Sequence, residues 1–198
     1  MNGVIIKTTG KHYSVKSDSG DILDCRLKGK LRISGIKSTN PFVVGDRVEL
    51  SCESNQWLIL SLHERKNYIL RKSVNLSKQT HIIASNIDQA LLMITFSSPV
   101  TTTAFIDRFL VSANAFGVEV ILVFNKIDLL NEDLKLKHKE LKDIYEKIGY
   151  KCFSISAIND DLSLIKEKIK GKVNMISGHS GVGKSTLINK IQPGLNIN

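Results

Sequence analysis

The sequence predicts two domains, a small β-barrel followed by an α/β domain with a parallel sheet, and three observations lead to this prediction. Short apolar stretches separated by turn residues occupy the chain up to about Leu62. From Ile82 onward, apolar strands alternate with amphipathic helices. Near the C-terminal end, a glycine-rich loop lies between an apolar run and a helical pattern.

Five short strands are predicted in the N-terminal part, bounded by turn residues such as Gly10, Gly20 and Gly35. Their ranges are 4–6, 13–16, 22–27, 47–50 and 57–60. Five strands in a segment of this length fit a small closed barrel, of which the oligonucleotide-binding fold is the five-stranded example. A different small barrel is also consistent with the pattern. We therefore predict an oligonucleotide-binding barrel over residues 1–62.

Positive charge is concentrated in the N-terminal part of a chain whose formal net charge is +9. Residues 1–80 hold 14 Lys and Arg against 7 Asp and Glu, whereas residues 81–198 hold 14 against 12. Such asymmetry favours contact with a polyanion through one half of the chain, although a solvated basic surface is the alternative. The residues that we predict to bind RNA are Lys28, Lys30, Arg32 and Lys37.

Three aromatic residues of the N-terminal part could stack on nucleic-acid bases, namely Tyr13, Phe42 and Trp57. An isolated aromatic residue in a strand more often fills a core, and for Trp57 we favour that role.

Residues 63–80 are polar, basic and weakly periodic, so we predict a linker there.

The remaining residues, 81–198, predict a parallel sheet with helices on both faces. Apolar strands are expected at 91–96, 118–124, 152–155 and 173–176. The first helix should start at 101–103, and a Lys-rich second helix should end at Gly149. The buried stripe of that second helix is predicted to consist of Leu141, Ile144, Tyr145 and Ile148. In such sheets, ligands bind beyond the carboxyl ends of the strands.

The glycine-rich loop after the last strand predicts a phosphate-binding site. Its glycines allow successive N–H groups to point into one concavity at a helix N-terminus. Lys184 should reach the β- and γ-phosphates as the catalytic cation, and the Ser185 hydroxyl should hold magnesium. His179 occupies a variable position of the pattern, so an ordinary loop role is the alternative for it. The loop residues are Gly178, His179, Ser180, Gly181, Val182, Gly183, Lys184, Ser185 and Thr186.

Two further motifs follow predicted strands and point to a guanine base. Asn125-Lys126-Ile127-Asp128 is an N-K-x-D sequence, and the Asp128 carboxylate can accept both donors of the guanine edge. Asn125 should contact the rest of that edge or brace the loop, and the Lys126 stem should cover the base. Ser156-Ala157 follows the next strand, where the Ala157 N–H is expected to reach the guanine carbonyl.

Composition excludes several other classes of protein. Three widely separated cysteines, Cys25, Cys52 and Cys152, form neither a disulfide framework nor a zinc site. No segment approaches the roughly 18 uninterrupted apolar residues that a membrane span needs, and no signal peptide is evident. We therefore expect a cytoplasmic protein without a membrane partner.

The order of these motifs resembles that of one known family. In ordinary small GTPases the phosphate loop comes first, but here N-K-x-D and Ser156-Ala157 precede it. A basic barrel precedes these motifs, and the stretches Asn86-Ile87-Asp88-Gln89 and Ile106-Asp107-Arg108 lie between the barrel and N-K-x-D. In these features the chain closely resembles the ribosome small-subunit-dependent GTPase A family, which is circularly permuted. The resemblance implies a barrel that binds rRNA and a GTPase domain that uses GTP, GDP and magnesium. It also implies a role on the small ribosomal subunit in late maturation, and we expect a monomer.

The sequence departs from that family in one respect. Members continue through a switch Thr, an Asp-x-x-Gly loop and a C-terminal domain with zinc ligands, none of which follows Lys190 here. We therefore expect the GTPase domain at 81–198 to be partial, without zinc ligands, and poorly active alone. An ATP-using P-loop protein, or an RNA-binding module with a vestigial nucleotide site, are the alternatives.

Overall fold

The computed structural model describes residues 1–28, 42–72 and 80–195. The chain divides into two compact units, Met1–Ile87 and Asp88–Asn198.

The first unit contains the predicted closed barrel. Its strands are β1 (Asn2–Thr9), β2 (His12–Ser17), β3 (Ile22–Leu27), β4 (Arg47–Glu53) and β5 (Gln56–Leu62). They close in the order β1-β2-β3-β5-β4, with β3 and β5 parallel and the other pairs antiparallel. This five-stranded topology confirms the predicted small barrel.

Alternation along the strands fills the barrel, because every second side chain points inward. On β2, for example, Tyr13 and Val15 are buried while His12 and Lys16 are exposed. The buried core consists of Ile5, Tyr13, Val15, Cys25, Phe42, Val48, Leu50 and Ile59.

A two-stranded hairpin follows the barrel within the same unit, in β6 (Tyr68–Lys72) and β7 (Thr80–Ser85). We predicted residues 63–80 as a linker, but the structure places strand β6 there and extends the first unit to Ile87. Backbone pairing and a buried ion pair hold the hairpin, rather than a periodic apolar pattern. Asp46 is fully buried and accepts hydrogen bonds from Arg65 at 2.7 Å and from the Ser85 hydroxyl at 2.6 Å.

The second unit alternates strands and helices, as predicted. It contains β8 (Gln89–Ile94), α1 (Thr103–Ala115), β9 (Glu119–Phe124), α2 (Glu132–Lys147), β10 (Lys151–Ser154), α3 (Ser163–Ile169), β11 (Asn174–Ser177) and α4 (Lys184–Ile191). All neighbouring strands are parallel, in the order β10-β9-β8-β11.

Helices pack on both faces of this sheet. On one face, Leu91 and Ile121 belong to a core that includes Ile165 of α3 and Leu187 of α4. On the other face, the ring of Phe124 contacts α2, since successive residues of a strand point to opposite sides. The phosphate loop is thereby fixed between a core strand and a core helix.

The predicted stripe of α2 is wrong in part. Tyr145 is buried and donates a hydrogen bond of 2.7 Å to Asp107 of α1. Ile144 and Ile148, however, are 55% and 63% exposed. The burial of Tyr145 is therefore as predicted, whereas the exposure of Ile144 and Ile148 is not.

Candidate nucleotide-binding site

The phosphate loop leaves β11 and enters α4 through backbone angles that favour glycine. Gly178 has a φ of +144°, Gly181 of +82° and Gly183 of +99°. A Cβ at Gly178 would lie 2.7 Å from the Met93 carbonyl oxygen, and one at Gly183 would meet the Asn125 amide nitrogen. Close packing as well as backbone conformation therefore requires glycine at these two positions.

The Lys184 ammonium lies against the loop itself. Its Nζ donates to the carbonyl oxygens of Gly178 at 3.0 Å and His179 at 2.7 Å. Both acceptors are neutral, so an anionic phosphate oxygen would compete well for the same ammonium. The contact of Lys184 with phosphate stays a prediction.

The other loop residues differ in their surroundings. Val182 is fully buried in the core, whereas Ser180 and Thr186 are exposed and Ser185 is half-buried in the first turn of α4. The His179 ring stacks on Phe105 of α1, with centroids 4.0 Å apart. His179 is therefore packed against α1, a contact that the phosphate-loop pattern does not predict.

Asn125 joins the phosphate loop to the loop after β10. Its side chain is 3% exposed. The Nδ2 donates to the Val182 carbonyl oxygen at 2.8 Å, and the Oδ1 accepts from the Ala157 N–H at 2.9 Å. Of the two roles predicted for Asn125, the structure contains the loop brace.

That brace also concerns the predicted guanine contact of Ala157. The Ala157 N–H, which we expected to meet the guanine carbonyl, donates to Asn125 instead. Ser156 is buried, its N–H donates to Asp160 at 2.7 Å, and its hydroxyl accepts from the Asn159 N–H at 3.3 Å. The Ser156-Ala157 loop is thus held by internal hydrogen bonds.

Lys126 links the same region to the loop after β8. Its backbone is left-handed, with a φ of +63°. Its Nζ donates to the carbonyl oxygens of Ser98 at 2.6 Å and Gly181 at 2.8 Å. The loop that carries Ser98 was not predicted as part of the site, because it has no motif of its own.

Asp128 is the member of the N-K-x-D motif that faces solvent. It lies in a short 3-10 turn, Ile127–Leu129, and is exposed. Within the described part of the chain its carboxylate makes no hydrogen bond or ion pair. Both oxygens are therefore available to accept hydrogen bonds from a ligand.

The predicted RNA-binding residues lie mostly outside the described residues, which include only Lys28 of the four. Lys28 is exposed and forms an ion pair with Glu53. The stacking role suggested for Tyr13 and Phe42 is wrong, because they are 2% and 0% exposed and their rings contact each other in the barrel core. Trp57 packs against that core, as we favoured.

The described ranges also bear on two further features, namely clusters of metal-binding side chains and membrane-spanning helices. Among residues 1–28, 42–72 and 80–195, no three His, Cys, Asp or Glu side chains are grouped to hold a metal ion. No helix in those ranges has the length and apolar character needed to span a membrane.

Fold and site together define a class of protein. It is a P-loop nucleotide-binding domain in which the base motif precedes the phosphate loop along the chain, behind a five-stranded barrel. The family model described as the RsgA GTPase matches residues 62–198, and the RsgA N-terminal domain matches residues 2–57. The chain therefore belongs to the RsgA GTPase family.

Relatives and solved structures agree with this assignment. The small ribosomal subunit biogenesis GTPase RsgA of Flavobacterium johnsoniae is 56% identical and aligns with 100% of this chain and 62% of its own length. The protein of the same name in Bacteroides fragilis is 49% identical, with coverages of 100% and 64%. The chain thus spans less than two thirds of the length of these relatives.

Two crystal structures share the fold. YjeQ from Thermotoga maritima has a TM-score of 0.76 at 35% identity, with 100% of this chain and 66% of YjeQ aligned. YloQ, described as a circularly permuted GTPase, has a TM-score of 0.68 at 30% identity, with 97% of this chain and 64% of YloQ aligned.

Proposed function

We propose that this chain binds GTP and GDP through its second unit and forms part of a GTPase that hydrolyses GTP to GDP and phosphate. The observation that carries the proposal is the Asn125 brace, which joins the phosphate loop to the loops expected to hold the base. The names of the relatives support a role in maturation of the small ribosomal subunit. The protein would then act in the cytoplasm, as a monomer.

Phosphate binding would rest on the loop and on Lys184. The loop combines glycines of positive φ with the N-terminus of an eight-residue helix, and such an arrangement favours anions. Binding of a nucleotide would exchange the two Lys184–carbonyl hydrogen bonds for charge-assisted bonds to phosphate, which are stronger. Lys184 would then stabilise negative charge that develops on the phosphates during transfer to water.

A magnesium ion fits the first turn of α4. Ser185 is half-buried there, directly after Lys184, and a hydroxyl oxygen is a ligand type that magnesium accepts. When bound, magnesium would neutralise charge on the phosphates. The described residues provide the Ser185 hydroxyl for it.

Guanine selectivity would come from Asp128. Guanine offers N1–H and N2–H groups on one edge, and one carboxylate accepts both, whereas adenine has an acceptor at N1 and would form neither hydrogen bond. The exposed and unengaged Asp128 carboxylate supports this role. Because Lys126 is anchored to the phosphate loop, its aliphatic stem would be held close to the base.

The barrel would supply the contact with rRNA. Residues 1–80 carry the positive excess of the chain, and Lys28 is exposed at the end of β3. We propose that Lys30, Arg32 and Lys37, which lie outside the described residues, also bind rRNA. Binding of this kind should weaken steeply as the salt concentration rises.

Calorimetry with GDP and ADP tests the proposal. We expect GDP to bind and ADP to bind at least tenfold more weakly, because adenine cannot form the hydrogen bonds to the Asp128 carboxylate, and a hydrogen bond to a charged group contributes about 1.5–3 kcal/mol. Asp128→Asn should remove this preference, and Lys184→Ala should remove binding of both nucleotides. Lys139→Ala, an exposed position on α2, serves as the matched control. Equal affinities of the unmodified chain for GDP and ADP would favour an ATP-using P-loop protein instead.

Hydrolysis requires a separate measurement. A single supplied catalytic group is worth about a thousandfold in such enzymes, so we expect this chain alone to turn over GTP very slowly. Phosphate release should therefore be slow even at saturating GTP. Fast multiple turnover by the 198-residue chain would show that its own residues suffice.

A further inference from the structure

An aromatic cluster that includes one titratable ring lies next to the end of β9, where the loop of the N-K-x-D motif begins. It consists of Phe96, Phe124 and His138, with Phe96 and Phe124 stacked at 5.9 Å between centroids. The His138 ring, on α2, meets Phe96 at 5.7 Å and Phe124 at 5.2 Å in edge-on arrangements. Its Nε2 lies 2.9 Å from the Ser154 hydroxyl oxygen.

The position of His138 links it to both predicted base contacts. Phe124 and Ser154 are the last residues of β9 and β10 and form the final pair between these strands. Asn125 follows Phe124 directly, and the Ile155 N–H donates to the Phe124 carbonyl oxygen at 2.8 Å. His138 therefore contacts the last pair of residues before both loops leave the sheet.

The surroundings of His138 favour the uncharged ring. Phe96, Phe124 and Ser154 are uncharged, and Lys142, one turn further along α2, is the charged neighbour that acts on it. Burial first and the Lys142 ammonium second lower the pKa of His138 below its ordinary value of 6.5. The ring is thus neutral at physiological pH and becomes charged only in more acid solution.

We propose that His138 is a positioning residue for the guanine-binding loops, and that its protonation displaces the Phe124–Ser154 pair and weakens binding of guanine nucleotides. A charged ring would be costly there, because it is partly removed from water and lies near the Lys142 ammonium. Movement of the strand ends would then pull Asn125 and Ala157 out of the geometry in which they hydrogen bond. This inference rests on the proposed binding of GDP by the second unit.

The test is the affinity for GDP as a function of pH, measured by calorimetry between pH 5 and pH 8 on the whole chain. If only the neutral form is competent, affinity falls by up to about tenfold per pH unit below the pKa of His138. His138→Gln keeps a hydrogen-bonding group but cannot be charged, and His138→Phe keeps a ring. The GDP phosphate itself titrates in this range. Both variants should therefore show a smaller acid-dependent fall in affinity than the unmodified chain, while His12→Gln, on the barrel, should show the full fall.

The outcomes separate this inference from the function on which it rests. A merely structural role for His138 would lower the unfolding temperature of the variants and leave the pH profile unchanged, and that result would overturn the inference. An unchanged pH profile in the His138 variants would also be expected if another group, such as His179 in the phosphate loop, caused the pH dependence, and it would equally overturn the inference. Failure of the unmodified chain to prefer GDP over ADP at pH 8 would instead refute the proposed function.

Discussion

Replacement of Asn125 by alanine tests the central contact of the site. The side chain is almost completely buried, and both ends of its amide are engaged, with Val182 and with Ala157. Alanine would leave a buried carbonyl and a buried N–H without these partners. Each such loss costs about 1–3 kcal/mol, so we expect the free energy of unfolding to fall by about 2–6 kcal/mol.

Urea denaturation monitored by circular dichroism measures this change. Asn125→Asp should be nearly as destabilising, because a carboxylate keeps the acceptor for Ala157 but repels the Val182 carbonyl. Asn114→Ala, at an exposed position of α1, is the matched control and should change stability by less than about 0.5 kcal/mol. GDP affinity should fall with Asn125→Ala even where the chain is fully folded. A loss below about 1 kcal/mol with unchanged GDP affinity would refute the brace as the organising contact.

Three other perturbations give further checks. Arg65→Ala should destabilise the first unit by about 3–5 kcal/mol, because it leaves a fully buried carboxylate without its cation, whereas Arg47→Ala at an exposed pair should cost at most about 1 kcal/mol. Urea unfolding followed through the single tryptophan reports this difference. Gly183→Ala should prevent nucleotide binding in calorimetry, since its φ is +99° and its Cβ has no room; wild-type affinity would contradict this. Burial raises the pKa of the Cys25 thiol to about 11, so it stays protonated at pH 8, and mass spectrometry after iodoacetamide treatment should find Cys52 modified first. Equal rates at the two cysteines would contradict that assignment.

Much of the fold follows from local patterns in the sequence. Alternating apolar residues predict all five barrel strands, and strand–helix alternation predicts the parallel sheet. The hairpin of β6 and β7 was missed because its stability comes from backbone pairing and from the buried Asp46–Arg65 pair, whose members are far apart in sequence. Long-range polar contacts of this kind leave no periodic signal.

The candidate site was predictable in its parts but not in its connections. The phosphate loop and the N-K-x-D motif are short, and each occurs where a strand ends. The partners of Asn125 lie 32 and 57 residues away along the chain, so no local pattern could select bracing over base contact. The exposure of Ile144 similarly depends on how α2 packs against the rest of the unit, where Tyr145 contacts Asp107 of α1.

Asn125 and Asp128 are three positions apart, yet the fold depends on them very differently. Asn125 is buried and connects two loops, whereas the exposed Asp128 carboxylate makes no hydrogen bond or ion pair within the described chain. If Asp128 reads the base as we propose, a substitution there would alter the choice of nucleotide while the protein stays folded, so evolution could vary that choice without selection against misfolding. At Asn125 the same freedom does not exist, because a change would disturb the architecture before it could alter the choice of ligand.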